Sequence, residues 1–325
     1  MRAQHLLEHI EYLARPDLAA SWDQSGVQIA GTVEDVRKLA VALDPTIENI
    51  EAALQWGADW VLTHHPLALK PGLPGRRDAY HTILKAMLGC GSWLYAAHTS
   101  LDAQPAGPVT WLAQALGLHA TRLIVPSTTE NAWLFTLSGL EDPRVLEPIP
   151  GVIEVTAAGP AQWEVTAWPA ARTALSRLPA QRIQAQELLR PTSEYGFGCQ
   201  GELRQPLTPE AFIARTIELL PINAWTESGP RPEKVTSVAY CPGSGGDFAP
   251  AAFDNGADVF LTGDGNYHQA QDLEHRGWIL DVGHFSLEEQ MMAHWAARLE
   301  RELADHDVVV RFFPGRDPLR RVHGA

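Results

Sequence analysis

The hydrophobic positions of this chain follow two alternating rhythms. Near the start, Leu6, Leu7, Ile10 and Leu13 fall at helical spacing with Glu8 and Glu11 between them, which predicts an amphipathic helix over residues 3–14. A polar loop, Ser21 to Gly26, leads to Val27-Gln28-Ile29. Then short apolar runs alternate with helical spacings. Lys38 to Leu43 predicts a buried strand, and Ile47 to Trp56 a helix stopped by Gly57. Asp59 to Thr63 is the next strand, residues 80–89 a helix, Trp93 to Ala97 a strand, and Val109 to Leu116 a helix ending at Gly117. Strand and helix in turn point to an α/β sheet.

The last part of the chain repeats the rhythm. Val235 to Tyr240 reads as a strand, Pro250 to Asn255 as a helix ended by Gly256, and Val259 to Thr262 as a strand. Trp278 to Val282 is another strand, Glu288 to Leu303 a long helix, and Val308 to Phe313 a final strand. The repeat extends to motifs. Gly57-Ala58-Asp59 precedes one strand and Gly256-Ala257-Asp258 precedes its counterpart; His98-Thr99-Ser100-Leu101-Asp102 follows in one copy and His284-Phe285-Ser286-Leu287-Glu288 in the other. Between them, residues 128–190 read as β-α-β-β-α-β, with a hairpin around Ala158 to Ala161, which is the ferredoxin-like order. The expected architecture is α/β: two similar α/β lobes, residues 1–127 and 191–325, forming one metal-binding core, with an inserted small ferredoxin-like α+β domain at 128–190.

Composition narrows the function. With 25 basic against 39 acidic residues the net charge is −14, which disfavours non-specific binding to nucleic-acid phosphates. No apolar run is long enough for a membrane span, and the start lacks the unbroken apolar stretch of a signal peptide, so a cytoplasmic location is expected. The three cysteines, Cys90, Cys199 and Cys241, form no CxxC pair.

The candidate chemistry lies in the repeats. His64-His65 closes the Asp59 to Thr63 strand, at the kind of edge where α/β proteins bind ligands. The pair could serve two metals, one metal with a supporting role for the other ring, or only a local hydrogen-bonding role. His98 with Asp102 and His284 with Glu288 place a carboxylate four residues after an imidazole, neighbours on a helical face. Glu288 alone also reads as an acid capping a helix. A carboxylate with imidazoles suits zinc, iron, manganese or nickel and can bridge two ions. The glycine-rich turn Cys241 to Phe248 reads either as an anion cradle or as a plain tight turn. Asp264 and His268 are candidate supporting or substrate-facing groups, and His98 and His268 candidate catalytic bases.

Taken together, Ser21 to Gln28, Gly57 to Pro66, Ala97 to Asp102, Gly196 to Leu203, Gly243 to Gly246, Thr262-Gly263-Asp264 with Tyr267-His268, and Asp281 to His284 with Glu288 resemble the Nif-three-like family of dinuclear-metal-centre proteins, often labelled homologues of type 2 GTP cyclohydrolase I. The resemblance implies two divalent ions per subunit, held by His64, His65, Asp102, His284 and Glu288, with Glu288 as the bridge and His98 close by. It implies a toroidal homohexamer. It also implies a metal-dependent hydrolase acting on a small molecule through a metal-bound hydroxide, or else a non-catalytic adaptor or metal store. A mononuclear site of His65, Asp102 and Glu288 is the alternative for the centre itself. Two departures bear on substrate: Asn266 stands where many relatives have a lysine, and Phe285-Ser286-Leu287 replaces smaller residues.

Overall fold

The Gly-Ala-Asp motifs start an equivalent strand in each of two sheets. Gly57 and Gly256 end their helices with φ of 84° and 83°, in the left-handed region that glycine enters at least cost. Each following aspartate then staples a neighbouring strand. Asp59 accepts backbone N–H bonds from Arg37 and Lys38 at 2.8 and 3.0 Å, and Asp258 accepts them from Thr236 and Ser237 at 2.7 and 2.8 Å.

The computed structural model describes residues 1–319. It is a mixed α/β protein. Along the chain come α1 (Ala3–Leu13), β1 (Gly26–Ile29), β2 (Lys38–Ala42), α2 (Ile47–Trp56), β3 (Trp60–Thr63), α3 (Ala79–Cys90), β4 (Trp93–Ala96), α4 (Thr99–Asp102), α5 (Trp111–Leu116) and β5 (His119–Ser138). There follow β6 (Val152–Gly159), β7 (Gln162–Ala167), α6 (Arg172–Ser176) and β8 (Arg182–Leu207). The remainder is α7 (Pro209–Leu219), β9 (Thr226–Ser228), β10 (Val235–Tyr240), α8 (Ala249–Asp254), β11 (Val259–Thr262), α9 (Tyr267–Leu273), β12 (Trp278–Asp281), α10 (His284–Glu302) and β13 (Val309–Phe312). Residues 1–125 and 196–319 group as one compact unit, and residues 126–195 as another.

In the first unit, one sheet has the order β1-β4-β3-β2-β13, parallel except for β1. The other has β8-β10-β11-β12-β9, with β10, β11 and β12 parallel between antiparallel neighbours. Strand alternation sorts their side chains. Trp60 and Leu62 of β3, and Val259 and Leu261 of β11, enter one shared core. Val61 turns instead toward α2 and α3, and Phe260 toward α8 and α9. Helix α10 fills the shared core with Leu287, Met291, Trp295 and Leu299, all fully buried. Leu287, Met291 and Leu299 each contribute about 1.5–3 kcal/mol by this burial. That common core is why the two ends of the chain fold as one unit. The final strand, β13, pairs with β2 rather than with its sequence neighbours in the second sheet.

The second unit has strand order β6-β7-β5-β8. Pairings β5–β7 and β6–β7 are antiparallel, and Phe135, Leu137, Val165 and Leu175 form its own core. The expected first helix of this segment is a single tight turn, Pro143–Val145.

Candidate metal centre

Parallel strands deliver their carboxyl ends to one side, and there the candidate residues meet. His64 and His65 leave β3 in a turn in which both backbone N–H groups bond to the Leu43 carbonyl, at 3.1 and 3.0 Å. The Thr63 hydroxyl donates to the His65 carbonyl at 2.8 Å. The strand alternation is broken at this turn, so both rings face the same cluster instead of opposite faces. The His64 ring is fully buried, and its Nδ1 lies 2.7 Å from the Ala97 carbonyl. His65 Nδ1 lies 2.7 Å from Asp44, just beyond β2.

Two helix starts supply the rest. After β4, His98 precedes α4, and Asp102 ends it. After β12, α10 opens at His284, four residues earlier than the sequence pattern suggested, because Gly283 takes a φ of 89° that turns the chain directly into the helix. Glu288 is therefore not a capping acid. It sits one turn in, 3% exposed, with Oε2 2.8 Å from His284 Nε2 and 3.1 Å from His65 Nε2, and with Oε1 3.5 Å from His64 Nε2. The His65 and His284 Nε2 atoms are 3.3 Å apart. Asp102 Oδ1 lies 3.9 Å from His64 Nε2, and both atoms are buried without a hydrogen bond.

The glycine-rich turn makes room for this. Gly243 has a φ of 66°, and a Cβ there would stand 2.3 Å from Glu288 Oε1. At Gly263 a Cβ would meet the His284 backbone nitrogen at 2.3 Å. The turn from Cys241 to Phe248 thus lets the Glu288 carboxylate approach its backbone closely at Gly243.

Each imidazole is gripped at Nδ1, which leaves the other nitrogen for the centre. Ala97 holds His64, Asp44 holds His65, Asp23 holds His98 at 2.6 Å, and Asp264 holds His284 at 2.7 Å. Asp23 is itself fixed by the hydroxyls of Ser25 and Thr99 at 2.6 and 2.5 Å. Asp264 was anticipated in a supporting role; Asp23 and Asp44 were not. Asp23 lay inside a noted motif, but only the fold shows which ring it serves. His268 is exposed on α9 with its ring against Tyr267, outside the cluster.

The charges are strongly coupled. Burial disfavours a charged His65, yet hydrogen bonds to Asp44 and Glu288 outweigh it and push its pKa up to about 10. For His284 burial is likewise outweighed, by Glu288 and Asp264, and the pKa rises to about 9. His64 is also raised, since Glu288 and Asp102 overcome its burial. Burial would raise Glu288, but the charge of His64 and the close imidazoles of His284 and His65 hold it well below the usual carboxylate range. Asp102, without such bonds, is raised by burial. Two sets of converging donor atoms result, His64 with His65 and His98, and His65 with His284 and Glu288, each set within 4.8 Å. His65 is common to both. A cavity of about 710 Å³ opens onto His65 and His284, with Asp44, Asp264, Asp281 and Asp317 in its wall.

Residues 1–318 match the family described as Duf34/NIF3 (NGG1p interacting factor 3). The chain belongs to the DUF34/NIF3 family. A protein of Staphylococcus aureus (strain Mu50) named GTP cyclohydrolase 1 type 2 homolog is 25% identical over 88% of this chain and 90% of its own length. One of the same name from Halalkalibacterium halodurans is 25% identical over 93% of each chain. In fold, the chain is similar to a Bacillus cereus protein related to NIF3, with a TM-score of 0.79, 23% identity and 99% of each chain covered. Among the described residues, no helix is long and apolar enough to cross a membrane.

Proposed function

We propose that this DUF34/NIF3 protein binds two divalent metal ions and acts as a metal-dependent hydrolase on a small molecule. The observation that carries the reading is the buried His64 Nε2 and Asp102 Oδ1, which lack hydrogen bonds among imidazoles already oriented from behind. Buried polar atoms left without partners are costly, and a cation would satisfy them. The donor set of imidazoles and carboxylates suits zinc, iron, manganese or nickel.

His64, His65, Asp102, His284 and Glu288 would hold the ions, with Glu288 between them. When bound, such ions supply Lewis acidity and activate water at neutral pH. The protein does the remainder. Asp44 and Asp264 fix the His65 and His284 rings, as carboxylates behind metal-binding histidines do. His98, held by Asp23 and 5.2 and 5.5 Å from the His64 and His65 rings, can accept or return a proton beside the centre. The cleft gives a substrate access, as an enzyme site needs and a closed structural site does not. That access favours the hydrolase over a passive adaptor or metal store.

The matching staples of Asp59 and Asp258 support reading the first unit as two related lobes. The strand order of residues 126–195 supports a ferredoxin-like insert. A toroidal homohexamer in the cytoplasm completes the proposal by family resemblance, and sedimentation of the purified protein tests the assembly.

The deciding experiment is metal content per chain for protein purified without added metal or chelator. About two ions in wild type, falling sharply in Glu288→Ala, supports the dinuclear centre. No metal in wild type, even after anaerobic reconstitution with zinc, manganese or iron, overturns it.

A further inference from the structure

A second cavity, of about 260 Å³, adjoins the acidic cleft. Its floor is apolar, formed by Phe260, Ile279, Ala249, Ala270 and Leu273. Phe260 and Ile279 face each other across β11 and β12 in register, on the side of the sheet away from the shared core. There the short α9 leaves a gap over the sheet, and Tyr267, 74% exposed, stands at its mouth. Two residues line both cavities, Gly265 and Asp281. The Asp281 carboxylate is locked at that junction. Its two oxygens accept from the Gly265 and Gly283 N–H groups, both at 2.9 Å, and each keeps a lone pair for a ligand.

The charge pattern selects the ligand. No lysine or arginine lines either cavity among the described residues. Glu227 in the smaller one is already paired with Arg231 at 2.8 Å, so Asp281 is its remaining charge. Such walls repel anions and accept flat apolar groups that carry N–H donors.

We propose that this cavity is the specificity subsite: it takes the uncharged, planar ring of a small nitrogen heteroaromatic compound, with ring N–H groups donating to Asp281. The part of the substrate to be hydrolysed then extends past Gly265 into the cleft over His65 and His284. The inference rests on the metal-dependent hydrolase reading for its role, but not for the binding itself.

The test is a titration of quinazolin-4-one, a neutral bicyclic amide, into metal-loaded protein, followed by methyl NMR at Ala270, Leu273 and Ile279. Saturable shifts confined to these methyls are expected, with GTP as counter-probe causing none there. Ala270→Phe, which fills the cavity, should weaken binding about tenfold or more. Tyr267→Ala, at an exposed position that leaves the fold intact, should weaken it about threefold. Wild-type affinity in both variants, no saturable shift in wild type, or saturation of the same methyls by GTP overturns the subsite. Metal analysis of the same samples separates the two ideas. A full metal load without ring binding sinks the subsite and spares the centre. Ring binding in protein that takes up no metal supports the subsite and sinks the centre.

Discussion

The carboxyl ends of the two sheets share a frame and differ in chemistry. In both, a helix ended by a left-handed glycine leads to an aspartate that staples the adjacent strand. In both, a parallel strand, β4 or β12, turns directly into a helix that carries a candidate ligand. Where the first sheet has Thr63-His64-His65, the second has Thr262-Gly263-Asp264. The first contributes three imidazoles and Asp102, and the second contributes His284, Glu288 and glycines that clear space for them. A repeated backbone frame has thus been divided into a donor-rich side and a side that supplies the central carboxylate.

The largest effect is expected where that division is most one-sided. Removing Glu288 leaves three imidazoles with no shared anion, so Glu288→Ala should take the metal load from about two ions to nearly none. If metal content were unchanged, the second sheet would be only a wall.

Next come the carboxylates behind the rings. Asp44→Asn and Asp264→Asn serve the two sheets equivalently, and each should weaken metal binding about 10–100-fold in a chelator competition. An effect at Asp44 alone would confine the centre to the first sheet.

Space can be separated from backbone strain. Gly243→Ala forces a residue with a Cβ into a left-handed conformation and against Glu288, so calorimetry should show a loss of about 1–3 kcal/mol and the metal load should fall. Gly256→Ala meets nothing within 4 Å and should destabilise while leaving the metal load intact. Equal metal loads in the two variants would contradict the close-packing role of Gly243.

The pH dependence should differ between loaded and metal-free protein. His65 and His284 have folded pKa values near 10 and 9, above the usual histidine value of about 6.5. Their contribution to metal-free stability is therefore complete below about pH 6.5 and is lost as pH rises through the folded values. The melting temperature of metal-free protein should fall between pH 6.5 and 9. Apparent metal affinity should rise over the same range, because bound imidazoles must be neutral. A metal-free melting temperature that rises across this window would refute the proton-filled cluster.

The smallest effects should be in the frame. Asp59→Asn and Asp258→Asn each weaken a pair of backbone hydrogen bonds and should cost about 1 kcal/mol apiece without affecting metal. Markedly unequal costs would mean that the two staples are not equivalent.

Much of this frame was legible in the sequence, because its signals are local. Gly57 and Gly117 end helices as expected, and β2, β3, β10 and β11 follow from short apolar runs. Long-range pairing left no such trace. β5 and β8 run for 20 and 26 residues with few fully buried side chains, so hydrophobic pattern marks only fragments of them. α7 escaped notice although Thr208 and Pro209 mark its start, and its Thr208 hydroxyl does cap the helix. β13 could be read as a strand, but nothing in it names β2 as its partner. At the site, adjacent histidines and the two four-residue spacings were visible. Asp23 and Asp44 act across the fold, through contacts 75 and 21 residues distant.

The most direct test of a centre built jointly by both sheets is anomalous diffraction at the metal edge, from crystals of protein purified without chelator. Two peaks enclosed by His64, His65, Asp102, His284 and Glu288 are predicted. A single peak contacted only by residues of the first sheet, or no peak after reconstitution, would contradict it.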